Sequence, residues 1–223
     1  MIKIKDVERA ARILEILEKS MDIRKEEFTA LASEDPFEIL IATILSQNTN
    51  DRNSLAAFNE LKRRIGVNPE SLSEAKEEDI ADAIRIAGLY RTKAKAIKEL
   101  AREVKEKYGG NLRKILSLEN PRDELLRLPK VGEKTADVVL LFSSRMETFP
   151  IDTHVRRVAE RLGLSSGGYE EMRRDLMNLF KGKCLEAHLL LIQLGRKYCK
   201  ARKPLCSICP VKSFCPTGMK GAP

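Results

Sequence analysis

Apolar residues return every three or four positions along almost the whole chain, the spacing that gives a helix one buried face. Ile4, Val7, Ala11, Leu14 and Leu17 make such a face near the N-terminus. Asp35-Pro36 supplies an N-cap side chain followed by a residue suited to the first helical position. The next nine residues, 37–45, are nearly all apolar, which predicts a helix at the centre of a core. Further helices are expected over 52–65, closed by Gly66, and over 77–87, closed by Gly88. Another is expected from a Thr92 cap to 108, closed by Gly109-Gly110. Asn120-Pro121 opens one that runs to 128. A tight turn over 129–132 then leads into a helix over 133–143. Later helices are expected over 153–162, 169–180 and 185–198. No stretch shows the period-2 alternation between turns that marks a strand. The expected fold class is all-α, with short connections.

With 223 residues, 43% of them hydrophobic, the chain can bury a core without staples. Its longest apolar runs fall far short of the roughly 18 residues that a membrane span needs. The first residues, Met1-Ile-Lys-Ile-Lys-Asp6, lack the apolar stretch of a secretion signal. The expected address is the cytoplasm, with no membrane partner. Lys and Arg number 41 against 33 Asp and Glu, a net charge of +8. That balance points to an anionic partner, nucleic acid first, against a merely solvating basic surface. Nothing in the sequence demands an oligomer, so a monomer is the default.

Four of five cysteines, Cys199, Cys206, Cys209 and Cys215, crowd into the spacing Cys-x6-Cys-x2-Cys-x5-Cys. Without a secretion signal, such clustering argues for metal rather than disulfides. Thiolates beside Lys200, Arg202, Lys203 and Lys212 suit either zinc or an iron–sulfur cluster. The spacing is not the two-plus-two pairing of a zinc ribbon, which favours iron–sulfur. A 4Fe–4S cluster on four thiolates carries about two negative charges when oxidised, leaving the protein near +6. Cys184 lies outside the spacing and reads as a small buried hydrophobe.

The sharpest local pattern is LPKVGEKTAD over 128–137. It reads as two helices joined by a tight turn in which Gly132 takes positive φ. The free N–H groups that open the second helix bind an anion, and a DNA phosphate is a natural one in a basic chain. The plain alternative is an ordinary αα-hairpin. Lys134 stands one turn inside that helix. The helix's positive end and nearby Lys130 disfavour its charge, which makes its amine a better nucleophile; otherwise it is a solvated surface lysine. Asp152, in PIDTHVRRV, caps the following helix. It is also a carboxylate able to stabilise a cationic sugar. His154 either packs in a core or touches phosphate. Ser46-Gln-Asn-Thr-Asn50 gathers amides and hydroxyls after an apolar helix. They cap the next helix or hydrogen-bond base edges. Leu89, just past Gly88, either packs or wedges into a base stack.

In order and spacing, ILSQNTND, IAGLYRTKA, LPKVGEKTAD, PIDTHVRRV and the cysteine loop resemble the endonuclease III family of base-excision DNA glycosylases. The resemblance runs from about Phe37 to Cys215. It implies two helical domains flanking a DNA-binding cleft. One is a six-helix barrel over 31–146 with the helix-hairpin-helix element. The other joins 1–30 to 147–223 and carries a 4Fe–4S cluster. By this resemblance Lys134 and Asp152 are catalytic, and Cys199, Cys206, Cys209 and Cys215 are cluster ligands. Gln47, Asn48, Leu89, Lys130, Val131, Gly132 and His154 contact DNA. Many members carry a glutamine where Asn48 stands, so either Gln47 or Asn48 fills the space left by a flipped base. Many carry glycine where Lys130 stands.

The implied activity is bifunctional. A lysine Schiff base excises an oxidised pyrimidine, such as thymine glycol, from duplex DNA. β-Elimination then cuts the strand 3′ of the abasic site. The implied partner is double-stranded DNA with damaged bases or abasic sites. Two alternatives stand beside it: a monofunctional mismatch glycosylase, which typically lacks the lysine, and a non-catalytic damage-binding module.

Overall fold

The computed structural model describes residues 4–24, 27–144 and 146–220. Among these there are thirteen α-helices and no strand. The chain divides into two compact units, Arg24–Met146 and a second unit made of Met1–Ile23 with Glu147–Pro223. Residues 27–30 thus group with the first unit.

The Arg24–Met146 unit holds α2 (Pro36–Ser46), α3 (Asp51–Arg64), α4 (Pro69–Glu74), α5 (Glu77–Ala83), α6 (Tyr90–Tyr108), α7 (Arg113–Leu116), α8 (Pro121–Leu126) and α9 (Glu133–Val139). Asp35 caps α2 as expected, accepting from the amides of Phe37 and Glu38. α2 is buried nearly all round, from Pro36 to Leu45, and packs on α3, α6 and α9. α6 packs on α4 and α5. Three expectations need correction. The helix expected over 77–87 breaks after α5, and a 3-10 turn, Arg85–Ala87, carries the chain into Gly88. Thr92 is not a cap: α6 starts two residues earlier, at Tyr90, behind Leu89 in the left-handed conformation. The α9 segment holds α geometry only to Val139, and its continuation, Leu140–Ser144, widens into a π turn. α4 and α7 were not expected. Asn68-Pro69 opens α4 with the same chemistry as Asp35-Pro36, and Asn68 caps the amide of Ser71.

The second unit holds α1 (Ile4–Ser20), α10 (Thr153–Leu162), α11 (Tyr169–Leu179), α12 (Cys184–Lys197) and the short α13 (Pro216–Met219). α1 packs on α11 and α12, and α10 packs on α12 and α13. The buried stripe of α1 is Ala10, Ile13, Leu14 and Leu17, a clean i, i+3, i+4, i+7 set. Val7 and Ala11, placed on the expected face, are exposed: at 100° per residue they stand about 60° and 100° round from Ala10, on the side away from Ile13 and Leu17. The side chain of Ile4 lies outside the described residues. Arg9 ties α1 to later chain, donating to the carbonyls of Leu162, Gly163 and Phe214 at 2.8, 2.6 and 3.2 Å.

Candidate DNA-repair site and cysteine pocket

Four non-glycine residues among those described have positive φ: Asn48, Leu89, Lys130 and Lys203. The first three are candidate DNA contacts, and all lie in the Arg24–Met146 unit. Left-handed backbone costs a residue with a Cβ roughly 1–2 kcal/mol. Strain of that kind gathers at functional sites.

Asn48 (φ 52°) stands just past α2, exposed, and its side-chain amide takes no hydrogen bond among the described residues. Gln47 is also exposed, but its Nε2 reaches back to Thr135 Oγ1 on α9, a long bond of 3.5 Å. Leu89 (φ 47°) is 62% exposed, an unusual position for a leucine on a rigid turn. The two loops that carry Asn48 and Leu89 touch: the hydroxyl of Thr49 donates to the carbonyl of Ala87.

The hairpin between α8 and α9 departs from expectation. Gly132 is extended (φ −96°), and Lys130 takes the left-handed turn instead (φ 61°). The strained position is therefore the one where many family members carry glycine. Val131 points inward. Its side chain is buried, and its N–H closes the turn by donating to Leu128 O at 3.2 Å. The exposed groups at the tip are Lys130 and the backbone of Gly132. An ion pair locks the two helices of the hairpin. Arg122 of α8 donates Nε and Nη2 to the two carboxylate oxygens of Asp137 on α9, at 2.9 and 3.2 Å. Sequence reasoning passed over both residues, although their places on consecutive helices of one hairpin were readable. Lys134 is half-buried in the first turn of α9.

Asp152 and His154 belong to the other unit. Asp152 is the N-cap of α10, and its Oδ1 accepts from Val155 N at 2.7 Å. Its Oδ2 has no partner among the described residues, so the cap leaves one carboxylate oxygen for other work. His154 is half-buried and sits close over Gly195 of α12. A Cβ on that glycine would lie 3.0 Å from the Cβ and Nδ1 of His154. Arg157 Nη2 is 3.1 Å from His154 Nδ1. Both contacts are with protein, on α10 and α12.

The four clustered cysteines line one pocket, with Val158, Leu162, Leu194 and Val211 around them. Hydrogen-bond donors point at the sulfurs: Gly218 N to Cys215 Sγ at 3.3 Å and Arg161 Nη1 to Cys199 Sγ at 3.5 Å. Thiolates in an apolar pocket need such donors and a cation. Burial, and then the neighbouring cysteines, push the Cys209 thiol above its ordinary value. Four cysteine sulfurs lining one pocket fit the four-thiolate ligation of an iron–sulfur cluster. Arg161 and Arg157 pin the start of the loop, donating to the carbonyls of Lys200, Ala201 and Cys199 at 2.7, 3.1 and 2.8 Å. Cys184 stays apart, buried beside Glu147 and Phe180 O. Burial first, and then the Glu147 carboxylate, hold its thiol well above the usual range.

A hairpin with a basic tip, strained loop ends and a thiol-lined pocket define a helical DNA-repair class, and comparison with known proteins agrees. Residues 41–182 match the family model of HhH-GPD superfamily base excision DNA repair proteins. Residues 199–215, the cysteine loop itself, match the iron–sulfur binding domain of endonuclease III. The endonuclease III of Sulfolobus acidocaldarius is 41% identical over 183 residues, covering 80% of this chain and 81% of that one. A solved structure of a trapped endonuclease III–DNA covalent intermediate superposes with a TM-score of 0.82 at 31% identity, over 99% of each chain. A thermostable thymine-DNA glycosylase follows at TM-score 0.78 and 25% identity, over 97% of this chain and 98% of that one. The chain belongs to the endonuclease III family within the HhH-GPD superfamily. No described helix is long and apolar enough to cross a membrane.

Proposed function

We propose that this chain is a bifunctional DNA glycosylase and abasic-site lyase of base excision repair. Its proposed substrate is an oxidised pyrimidine in duplex DNA. The observation that carries the reading is Lys134, half-buried in the first turn of the hairpin helix. The chain is also similar, over nearly its full length, to an endonuclease III caught covalently on DNA.

A base cannot be excised inside the stack, so the nucleotide turns out at a cost of a few kcal/mol. Leu89, exposed and in the left-handed conformation, and Asn48, whose amide is uncommitted, fill the space it leaves. Gln47, already turned toward Thr135, is the less available of the two amides. Lys130 and the Gly132 backbone hold a phosphate, and His154 packs against Gly195 of α12 beside Arg157.

The neutral amine of Lys134 attacks the anomeric carbon of the sugar, and the C–N bond to the base breaks with its electron pair leaving on the base. Asp152, through the carboxylate oxygen not used in capping, stabilises the positive charge that develops on the sugar. Loss of a proton from nitrogen and opening of the sugar ring give the imine. The imine acidifies the neighbouring C2′–H. Removal of that proton expels the 3′ phosphate, and water then releases the lysine. Cys199, Cys206, Cys209 and Cys215 hold a 4Fe–4S cluster that supplies a fixed, covalently stapled loop. With DNA as substrate and no membrane span, the chain acts in the cytoplasm, at the nucleoid if its source is prokaryotic, and as a monomer.

The test is borohydride reduction during turnover on a duplex with one thymine glycol or abasic site. Wild type is expected to give a covalent adduct and strand cleavage, and Lys134→Ala neither. Base release with no adduct would favour the monofunctional reading suggested by the thymine-DNA glycosylase likeness. Binding without release or cleavage would favour a damage-binding module.

A further inference from the structure

Lys93 is a buried ammonium that the mechanism leaves unused. It is 5% exposed, in the first turn of α6. Its Nζ donates to Leu45 O at 2.8 Å, to Thr49 Oγ1 at 2.9 Å and to Ala87 O at 2.9 Å. An ammonium has three N–H donors and no acceptor, so these three oxygens saturate it. None belongs to a carboxylate, and desolvation alone lowers its pKa from the ordinary lysine value. A buried cation with only neutral partners is costly, and here the three oxygens come from two separate segments, 45–49 and the Arg85–Ala87 turn.

Leu45 and Thr49 bracket Gln47 and Asn48. Ala87 O accepts from the Lys93 side chain and Leu89 O from the Lys93 backbone amide, at 3.0 Å, so one residue grips both sides of Gly88. Each bracketed segment contains a residue in the left-handed conformation, Asn48 and Leu89. Leu45 O lies in the last turn of α2 and Ala87 O ends the Arg85–Ala87 turn, so both are the negative ends of helical segments. Without the cation, Leu45 O loses this donor, and the two segments are left joined by the Thr49 hydroxyl donating to Ala87 O. Leu45 O, buried in the last turn of α2, then regains a donor only if the contact opens toward water.

We propose that Lys93 is a positioning residue whose ammonium ties the 45–49 and 87–89 segments into one rigid tip, so that Asn48 and Leu89 enter an opened duplex together. This rests on the reading of those two residues as the groups that fill the vacated base position. Lys93 touches neither substrate nor the reacting atoms. Its effect belongs to DNA whose stack must be opened, and disappears where there is no stack.

The experiment compares borohydride trapping and cleavage, under single turnover, on an abasic site in duplex DNA and on the same strand alone. Lys93→Met, checked for native helicity by circular dichroism, is expected to slow the duplex reaction about 30-fold or more and the single-strand reaction less than about threefold. In a Leu89→Ala background the duplex penalty of Lys93→Met is expected to shrink to a few-fold, because the two residues act as one unit. Equal losses on both substrates, or an unchanged penalty in the Leu89→Ala background, overturn the proposal. If Lys93→Met does not fold, Thr49→Val removes one of the three oxygens and is expected to give the same split at about fivefold. Equal losses on duplex and single strand in that variant overturn it. A wild type that traps nothing on either substrate fails the lyase reading first, so the two failures are told apart.

Discussion

Replacing Arg122 with methionine removes the cation that faces a carboxylate inside the hairpin. Asp137 is wholly buried, while the Arg122 side chain keeps 22% of its surface exposed. Breaking one side of a buried pair costs roughly 3–5 kcal/mol, because the remaining charge is left in a poor solvent. Water already reaches the arginine, so the loss should fall near the lower end, about 3 kcal/mol. Asp137→Asn keeps an oxygen for the guanidinium and leaves the extra charge on the partner that can reach water. It should cost less, about 1–2 kcal/mol. Removing both, as Arg122→Met with Asp137→Leu, should return stability to within about 1 kcal/mol of wild type. Urea denaturation followed by circular dichroism gives the four stabilities, and lyase activity well below each midpoint reports whether the hairpin still presents Lys134. The reasoning is refuted if Arg122→Met costs under about 1 kcal/mol, or if the double variant is as unstable as the single.

Three more expectations follow from the same geometry. Lys130→Gly relieves a left-handed backbone but adds unfolded-state freedom, so stability should rise by no more than about 1 kcal/mol. The salt slope of duplex binding should meanwhile fall by about one phosphate contact; an unchanged slope would show that Lys130 holds no phosphate. Arg161→Met loses the bonds to Lys200 O, Ala201 O and Cys199 Sγ, and should lose the visible absorbance of the cluster to a chelator about tenfold faster or more. Burial lowers the Lys93 pKa, so the folded chain binds fewer protons at this site than the unfolded chain. Between that lowered value and the ordinary value of 10.5, its contribution to stability rises with pH. The stability of wild type relative to Lys93→Met should therefore increase through that window, and a flat difference in denaturation experiments would contradict the burial.

The helices with chemical punctuation were legible. Asp35-Pro36 and Asn120-Pro121 open helices where expected, and 153–162 matches α10 residue for residue. Short elements escaped, because four or six residues, as in α7 and α4, do not complete a periodic pattern. The hairpin was legible as a hairpin, but which residue turns was not. Gly132 looked like the permissive one, yet the turn falls on Lys130, two residues earlier. Asp152 was legible in its capping role because capping is local. Lys93 was invisible for the opposite reason: two of its oxygens come from Leu45 and Thr49, 48 and 44 residues away, and sequence spacing carries no sign of them. The buried side chain of Val131 and its occupied amide were not legible, because both are facts of the folded turn, not of its composition.

The clasp formed by Arg9 has a consequence for how the molecule is made. Helix α1 is made before the other described elements, yet its arginine is held by carbonyls at 162, 163 and 214. During synthesis the Arg24–Met146 unit has all of its own residues while α1 still lacks its partners, and domains fold as units as they emerge. The lysine-bearing half is thus complete before the cysteines at 199–215 exist as a binding loop. Any metal held by those cysteines can therefore be bound only after the whole Arg24–Met146 unit has been synthesised.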